Sequence, residues 1–265
     1  LIWDKYARLN NQDPRSQLLH KTVTERKRPL KTRPGWRKTT SQRMTKWGVC
    51  REVTTPPIAP WRSLPNLTTD QVKLAKRKDE YSEVELNRIT MEKLDAMRPG
   101  FDATIFTDGS TSMEQMNGGA GVYIEDRNGN VMFEASYAAG KFCSSYGGEA
   151  VAALRALEWI TASGLQECLI VTDSKSLQEA LAKNNWRDTD PWLKRIKSTI
   201  FVLEAEITLL WIPSHIRIHG NDKADELASK GTKLDQQSIP VTPAIMKAKI
   251  KEEKWQITHE RAVKI

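Results

Sequence analysis

Residues 105–110 have the sequence Ile105-Phe106-Thr107-Asp108-Gly109-Ser110, in which a short apolar run ends at an aspartate. The β-branched and aromatic residues favour a strand, and the glycine and serine that follow favour a turn. The carboxylate of Asp108 is therefore expected where a strand stops. This pattern alone is weak evidence for a functional site, because most such aspartates accept hydrogen bonds from turn amides.

Three later acidic residues occupy comparable positions. Glu149 lies in an apolar helical run, Asp173 ends a second apolar strand, and Asp225 lies in the helical segment 220–228. Parallel strands would bring Asp108 and Asp173 to one edge of a sheet, and the helix position of Glu149 allows it to overhang that edge. Carboxylates that converge without lysine or arginine partners repel one another, and a hard divalent cation relieves this repulsion. The sequence therefore predicts a Mg²⁺ site suited to two-metal phosphodiester hydrolysis.

A histidine lies near these acids in the sequence. His215 follows the last predicted strand, ten residues before Asp225. A loop histidine beside a metal site suits proton transfer or product release, because its pKa is near neutral. The alternative is a loop histidine with no task. We expect His219 to be a surface residue.

The composition excludes several classes of protein. Three cysteines without a Cys-x-x-Cys pair argue against a disulfide framework or a zinc knuckle. No apolar run approaches the roughly 20 residues of a membrane span, and no signal peptide is evident, so we expect an intracellular protein of the nucleus or cytoplasm with no membrane association. The net charge of +8 is uneven, because residues 1–50 carry +10 and the remainder −2. This asymmetry predicts a basic arm that contacts a polyanion.

The apolar patterns predict an α/β domain over residues 98–235. The predicted strands are 103–108, 121–124, 131–135, 169–172 and 207–212, and the predicted helices are 148–161, 174–181, 191–203 and 222–230. Asn128-Gly129 between two apolar runs indicates a hairpin. The element order predicts a mixed five-stranded sheet, in which a three-strand meander precedes parallel strands, flanked by helices.

Two segments flank this domain. Residues 1–97 are predicted to form a poorly structured, partly helical basic arm or connection, with a helix cap at Thr69-Asp70. Its basic residues, interleaved with tryptophans, would contact phosphates and stack on bases, or else form a solvated linker whose tryptophans dock on a neighbouring domain. Residues 236–265 are predicted to be a linker and an amphipathic helix. Because the sequence begins at Leu1, we expect it to be part of a longer polypeptide.

Four motifs in this order resemble the ribonuclease H domain. They are the segment 106–110, Glu149-Ala150, Thr172-Asp173-Ser174, and Pro213-Ser214-His215 with the segment 220–228. The resemblance covers about residues 101–232. The last motif is similar to the ribonuclease H region at the C-terminal end of reverse transcriptases of non-LTR retrotransposons. The residues before 98 would then be the end of a polymerase thumb or connection.

This resemblance implies an activity and a set of site residues. The activity is cleavage of the RNA strand of RNA–DNA hybrids with two Mg²⁺ ions, for which Mn²⁺ substitutes, leaving a 5′-phosphate. The implied catalytic residues are Asp108, Glu149, Asp173, His215 and Asp225, of which the four acids are metal ligands. The implied nucleic-acid contacts are Ser110, Ser144, Ser145 and Lys175.

The implied partners are the hybrid and an upstream reverse transcriptase domain in the same chain, and no oligomer is implied. Two alternatives to this activity remain open. The chain could be a catalytically weak nucleic-acid-binding remnant of a retroelement. It could also be a nuclease of the same fold that acts on DNA, because a fold alone does not define a substrate.

Overall fold

The computed structural model describes residues 64–112, 117–141, 143–183 and 190–236, together with the isolated helical positions Gln42, Lys251 and Trp255. Apart from those three positions, the described residues lie within one compact unit, Pro56–Gln237. Most of residues 1–63 of the predicted basic arm, including its tryptophans, and most of the predicted C-terminal helix lie outside the described residues.

The unit contains one mixed sheet with helices packed against it. In chain order the elements are β1 (Leu67–Gln71), α1 (Glu83–Met97), β2 (Ala103–Thr111), β3 (Asn117–Asp126), β4 (Val131–Lys141), α2 (Ser145–Ser163), β5 (Glu167–Thr172), α3 (Lys175–Ala182), α4 (Pro191–Val202), β6 (Glu206–Trp211) and α5 (His219–Gly231). The strand order across the sheet is β1-β6-β5-β2-β3-β4. The predicted α/β architecture is confirmed, with all five predicted strands present.

The sheet has a sixth strand that the sequence analysis missed. β1 pairs in parallel with β6 over its whole length, so the predicted helix cap at Thr69-Asp70 is wrong, since both residues lie in a strand. Helix α1 begins later, at Glu83. Its N-cap is Ser82. The Ser82 side chain accepts a hydrogen bond from the backbone N–H of Glu85, and the backbone N–H of Ser82 donates to the Glu85 carboxylate.

A buried amide holds the start of β1 in place. The Asn66 side chain is 9% exposed, and its Nδ2 donates to the backbone oxygens of Ile200, Leu203 and Ala205 at 2.8, 2.9 and 3.2 Å. These three carbonyls lie at the end of α4 and just before β6. The segment that precedes residue 98 is therefore part of the same packed unit as the segment that follows it.

The core lies between the sheet and its helices. Phe106, Val171 and Leu210 come from three neighbouring strands and are fully buried, and Leu86 and Leu94 of α1 pack into the same cluster. Helix α5 lies directly on β3, because a Cβ at Gly119 or Gly121 of that strand would collide with its backbone. Among the described residues, no helix is both long and apolar enough to cross a lipid bilayer.

Candidate active site

The register of two parallel strands brings Asp108 and Asp173 together. β2 and β5 are adjacent, and Thr107 is paired with Thr172, so the two aspartates occupy the next position on each strand. Asp173 follows the last residue of β5, where the Trp211 Nε1–H donates to its backbone oxygen at 3.0 Å. Both carboxylates therefore lie at one edge of the sheet, just beyond the last parallel pair of β2 and β5. The predicted strand end and turn at Asp108-Gly109-Ser110 are wrong, because β2 continues to Thr111 through its antiparallel pairing with β3.

Helix α2 brings Glu149 to the same edge through a close backbone approach. Its first turn is capped by Ser144, whose side chain accepts from the Gly147 N–H at 3.1 Å. A Cβ at Gly109 would collide with the backbone of Gly148 and Glu149. Because glycine has no side chain there, the helix lies directly against β2, one residue beyond Asp108.

The three carboxylates form one cluster. Asp108, Glu149 and Asp173 each offer an oxygen, and these oxygens all lie within 4.8 Å of one another. Asp108 and Glu149 are each only 8% exposed. No lysine or arginine of the described residues forms an ion pair with any of the three. The cluster therefore holds negative charge that the nearby protein does not neutralise by direct contact.

Burial raises the pKa of all three carboxyl groups. Burial, followed by the charge of Asp173, raises the pKa of Asp108 to about 7. Burial and the two neighbouring carboxylates raise the pKa of Glu149 well above its usual value, and a hydrogen bond to Asp108 keeps the proton on Glu149. Burial likewise raises the pKa of Asp173. Without a cation, the cluster retains at least one proton near neutral pH.

A divalent cation fits these residues. Glu149 Oε2 is buried and has no hydrogen-bond partner. A buried oxygen without a partner destabilises the folded protein unless another group, such as a cation, binds it. Closely spaced carboxylate oxygens are the ligands that Mg²⁺ prefers, and the cluster contains no cysteine or histidine of the kind that selects zinc. The donor set therefore matches a hard divalent cation, the predicted type of metal.

The other two predicted catalytic residues lie beside this cluster. Asp225 is exposed on α5 and is not one of the three clustered carboxylates, but its charge raises the pKa of both Asp108 and Asp173. His215 is exposed on the loop after β6, and its charge lowers the pKa of Asp173. Both residues therefore lie within electrostatic range of the cluster, at its exposed side.

The predicted nucleic-acid contacts lie on the elements that carry the acids. Ser110 is half-buried on β2, two residues beyond Asp108. Ser144 is the cap of α2, so its hydroxyl has a structural bond, whereas Ser145 is exposed. Lys175 is exposed at the first position of α3, with its Nζ 5.2 Å from the centre of the Trp211 ring.

The sequence analysis missed one charged neighbour of the site. The charge of Lys78 lowers the pKa of Asp173, although Lys78 lies in the segment before the predicted domain. Its Nζ donates to the backbone oxygen of Ser214 at 3.0 Å and to the Ser214 hydroxyl at 2.8 Å. Because the two partners are 136 positions apart in the sequence, no local pattern would have revealed this contact.

Comparisons with known proteins gave a family match and several similar solved structures. The sequence model of the RNase H family matches residues 101–233, which is half of the chain. Similar solved structures include RNase H1 of Halobacterium salinarum, with 20% identity, 49% of this chain and 97% of that chain covered, and a TM-score of 0.42. The N-terminal RNase H domain of a Mycobacterium tuberculosis protein has 20% identity, coverage of 50% and 94%, and a TM-score of 0.42. LC11-RNase H1, solved with an RNA/DNA hybrid, has 21% identity, coverage of 48% and 97%, and a TM-score of 0.41.

No curated protein matches the chain. The family match begins at Phe101 and so spans all three clustered acids, Asp225 and the His215 loop, while leaving out β1 and α1. The chain therefore belongs to the RNase H family.

Proposed function

We propose that this chain hydrolyses the RNA strand of RNA–DNA hybrids at the cluster of Asp108, Glu149 and Asp173. The observation that carries the proposal is the convergence of three carboxylates from two strands and a helix within 4.8 Å. Membership of the RNase H family supports the reaction class. The unpartnered oxygen of Glu149 supports the need for a cation.

The acids would hold the metal, and the neighbouring residues would manage protons and substrate. Asp108, Glu149 and Asp173, together with Asp225, would bind two Mg²⁺ ions. Bound in this way, the ions would supply an activated water and stabilise the leaving 3′-oxygen, so that the products carry a 3′-hydroxyl and a 5′-phosphate. His215 is exposed and close enough for its charge to lower the pKa of Asp173, so its imidazole can carry a proton between the site and solvent.

Recognition of RNA would come from the strand and helix ends around the cluster. A protein distinguishes RNA from DNA at a given site by contacts to the 2′-hydroxyl. Ser110 and Ser145 are polar side chains on β2 and α2 near the acids, and the cap formed by Ser144 holds the first turn of α2. Lys175 is an exposed cation two residues after Asp173 in the chain and would contact a phosphate.

A cleavage assay tests the proposal. A labelled RNA–DNA hybrid, the matching duplex DNA and the single-stranded RNA are incubated with the full chain in Mg²⁺, in Mn²⁺ and in EDTA. We expect cleavage of the hybrid alone, in either metal but not in EDTA, and no cleavage by Asp173→Asn. Binding of the hybrid without cleavage would favour a nucleic-acid-binding remnant, and cleavage of the duplex DNA would favour a DNA nuclease. Either result would overturn the proposal.

We also propose that the chain is the ribonuclease H part of a retrotransposon polyprotein, with a reverse transcriptase domain upstream. The resemblance of Pro213-Ser214-His215 and of the segment 220–228 supports this context. The packing of β1 and α1 against the family domain also fits a connection from a preceding domain. Hybrids made by reverse transcription would place the enzyme in the nucleus or cytoplasm. Sequencing the full reading frame should reveal a polymerase Tyr-x-Asp-Asp motif upstream, and a complete frame without one would refute this context.

A further inference from the structure

The loop that carries His215 has an unfavourable backbone conformation. Residues 212–218 connect β6 to α5, and within them His215 has φ 58° and Arg217 has φ 55°. Left-handed backbone angles are uncommon for residues other than glycine and cost free energy at each position. Two such residues in one short loop persist only where surrounding contacts hold the chain in that shape.

Those contacts come from the segment that precedes the family domain. Asn87, on α1, donates from Nδ2 to the backbone oxygen of Ile216 at 2.8 Å and to that of Arg217 at 3.0 Å. Lys78 donates to the backbone oxygen and hydroxyl of Ser214 at 3.0 and 2.8 Å. The carbonyls on both sides of His215 are therefore held by side chains from outside the matched residues 101–233.

Apolar packing holds the same loop from beneath. Ile216 and Ile218 are 3% and 2% exposed and belong to the buried cluster that includes Leu86 and Leu94 of α1. Buried isoleucines alternate with exposed His215 and Arg217 along the loop. The loop therefore packs against α1 through its isoleucines, while its polar side chains are exposed to solvent. A pocket of about 680 Å³, lined by Lys78, Ser214 and His215 among others, opens at this place.

Three side chains make polar contacts with the loop, namely Asn87, Lys78 and Glu83, and these contacts differ in strength. The Arg217 Nε to Glu83 Oε1 pair, at 2.6 Å, is between exposed side chains, and such pairs contribute little. The Lys78 bonds are also exposed to solvent. The Asn87 bond to Ile216 is partly buried, and one side-chain nitrogen bonds two successive carbonyls there. Asn87 is therefore the contact whose loss would most release the loop.

We propose that Asn87 is a positioning residue for His215: from α1, outside the family domain, it holds the His215 loop in the left-handed conformation that keeps the imidazole beside Asp173. The catalytic consequence rests on the proposed function. The structural consequence, an ordered His215, does not depend on it. A chain cut at residue 101 would keep the acids and lose this support.

The test is a double-mutant cycle in the full chain. The variants are Asn87→Ala, His215→Ala and both together, and Arg88→Ala serves as the control, because Arg88 lies on the same helix and pairs with exposed Glu92. We expect Asn87→Ala to lower kcat roughly tenfold to a hundredfold, with KM for the hybrid unchanged, since displacement of a catalytic group by about 1 Å has such an effect. In the His215→Ala background the same change should lower kcat less than about twofold. Independent, multiplicative losses would overturn the proposal.

A second measurement does not require activity. In the metal-free protein, the imidazole signals of His215 are assigned in NMR spectra by their loss in His215→Ala. We expect these signals to shift or broaden in Asn87→Ala and to stay unchanged in Arg88→Ala, and an unchanged signal in Asn87→Ala would overturn the proposal. If Asn87→Ala does not fold, Lys78→Met removes the bond to Ser214 and carries the same two tests. An inactive wild-type chain with a released His215 signal in Asn87→Ala would refute the proposed function and keep the positioning role.

Discussion

Replacing Asp108 by asparagine should stabilise the metal-free protein. The substitution removes one negative charge from a buried cluster while keeping the size of the side chain. The pKa of Asp108 rises from 3.8 to about 7 on folding. At about 1.4 kcal/mol for each pKa unit, that difference corresponds to about 4 kcal/mol at high pH. Because Glu149 and Asp173 take part in the same repulsion, we expect a measured gain of about 2 to 4 kcal/mol.

The sign of the pH dependence follows from the direction of that shift. Below pH 3.8 the Asp108 carboxyl is protonated in both the folded and the unfolded protein, so its ionisation does not change the free energy of unfolding. Between pH 3.8 and about 7 the unfolded chain loses the proton while the folded chain keeps it, so the free energy of unfolding falls. Above about pH 7 the carboxyl is ionised in both states, and the free energy of unfolding stays lower by the full amount. The advantage of Asp108→Asn should therefore be small at pH 4, grow up to pH 7 and stay constant at pH 8.

Urea denaturation of the full chain in EDTA measures this difference. Wild type, Asp108→Asn and Asp235→Asn are unfolded at pH 4.5 and pH 8, and Asp235 is the control because it is exposed. Adding 10 mM Mg²⁺ should stabilise wild type more than Asp108→Asn, since a ligand that binds only the folded state stabilises it. A variant that is no more stable than wild type at pH 8 in EDTA would refute the reasoning, because the cluster would then hold no uncompensated charge.

Three further predictions concern the metal site, the close backbone approach and the anchor of β1. Asp173→Asn should abolish hybrid cleavage, whereas Asp225→Asn should mainly raise the Mg²⁺ concentration required, as a metal titration of the cleavage rate would show. Gly109→Ala should lose activity and about 1–3 kcal/mol of stability in urea denaturation through collision with α2, while Gly100→Ala, with open space around its Cβ, should be neutral. Asn66→Ala leaves three carbonyls without their donor and should cost about 1–3 kcal/mol by the same measurement; no loss would show that water replaces the amide.

The two aspartates could be predicted because each directly follows an apolar run with a strong local pattern. The apolar runs before Asp108 and Asp173 have the composition of buried strands, which is typical of the parallel strands of an α/β sheet. The register of Thr107 with Thr172 brings the two aspartates together, although β2 continues to Thr111 where the sequence predicted a turn. Glu149 could be placed on the correct helix from its flanking alanines and leucines, although no sequence pattern shows that Gly109 allows this helix to touch β2.

β1 could not be predicted, because its sequence is not that of a buried strand. Leu67-Thr68-Thr69-Asp70-Gln71 contains polar residues throughout, and Asp70 is followed by a stretch rich in lysine. Its extended conformation comes from parallel pairing with β6, about 140 residues later, and from the Asn66 amide that reaches the end of α4. A strand at the edge of a sheet needs an apolar face only where it is covered, so the local signal was weak.

Sequence patterns were sufficient to predict the fold class and the strands and helix that carry the three clustered carboxylates, because hydrophobic periodicity acts over a few positions. They were wrong about the end of β2, which continues past Asp108 to Thr111. Tertiary structure alone decided how acidic the cluster is, since the pKa of Asp108 depends on burial and on Asp173. It also decided the shape of the His215 loop, because the side chains that hold it are more than 120 residues earlier in the chain. Such contacts join residues that are distant in the sequence, and local sequence patterns do not predict which distant residues meet in the folded protein.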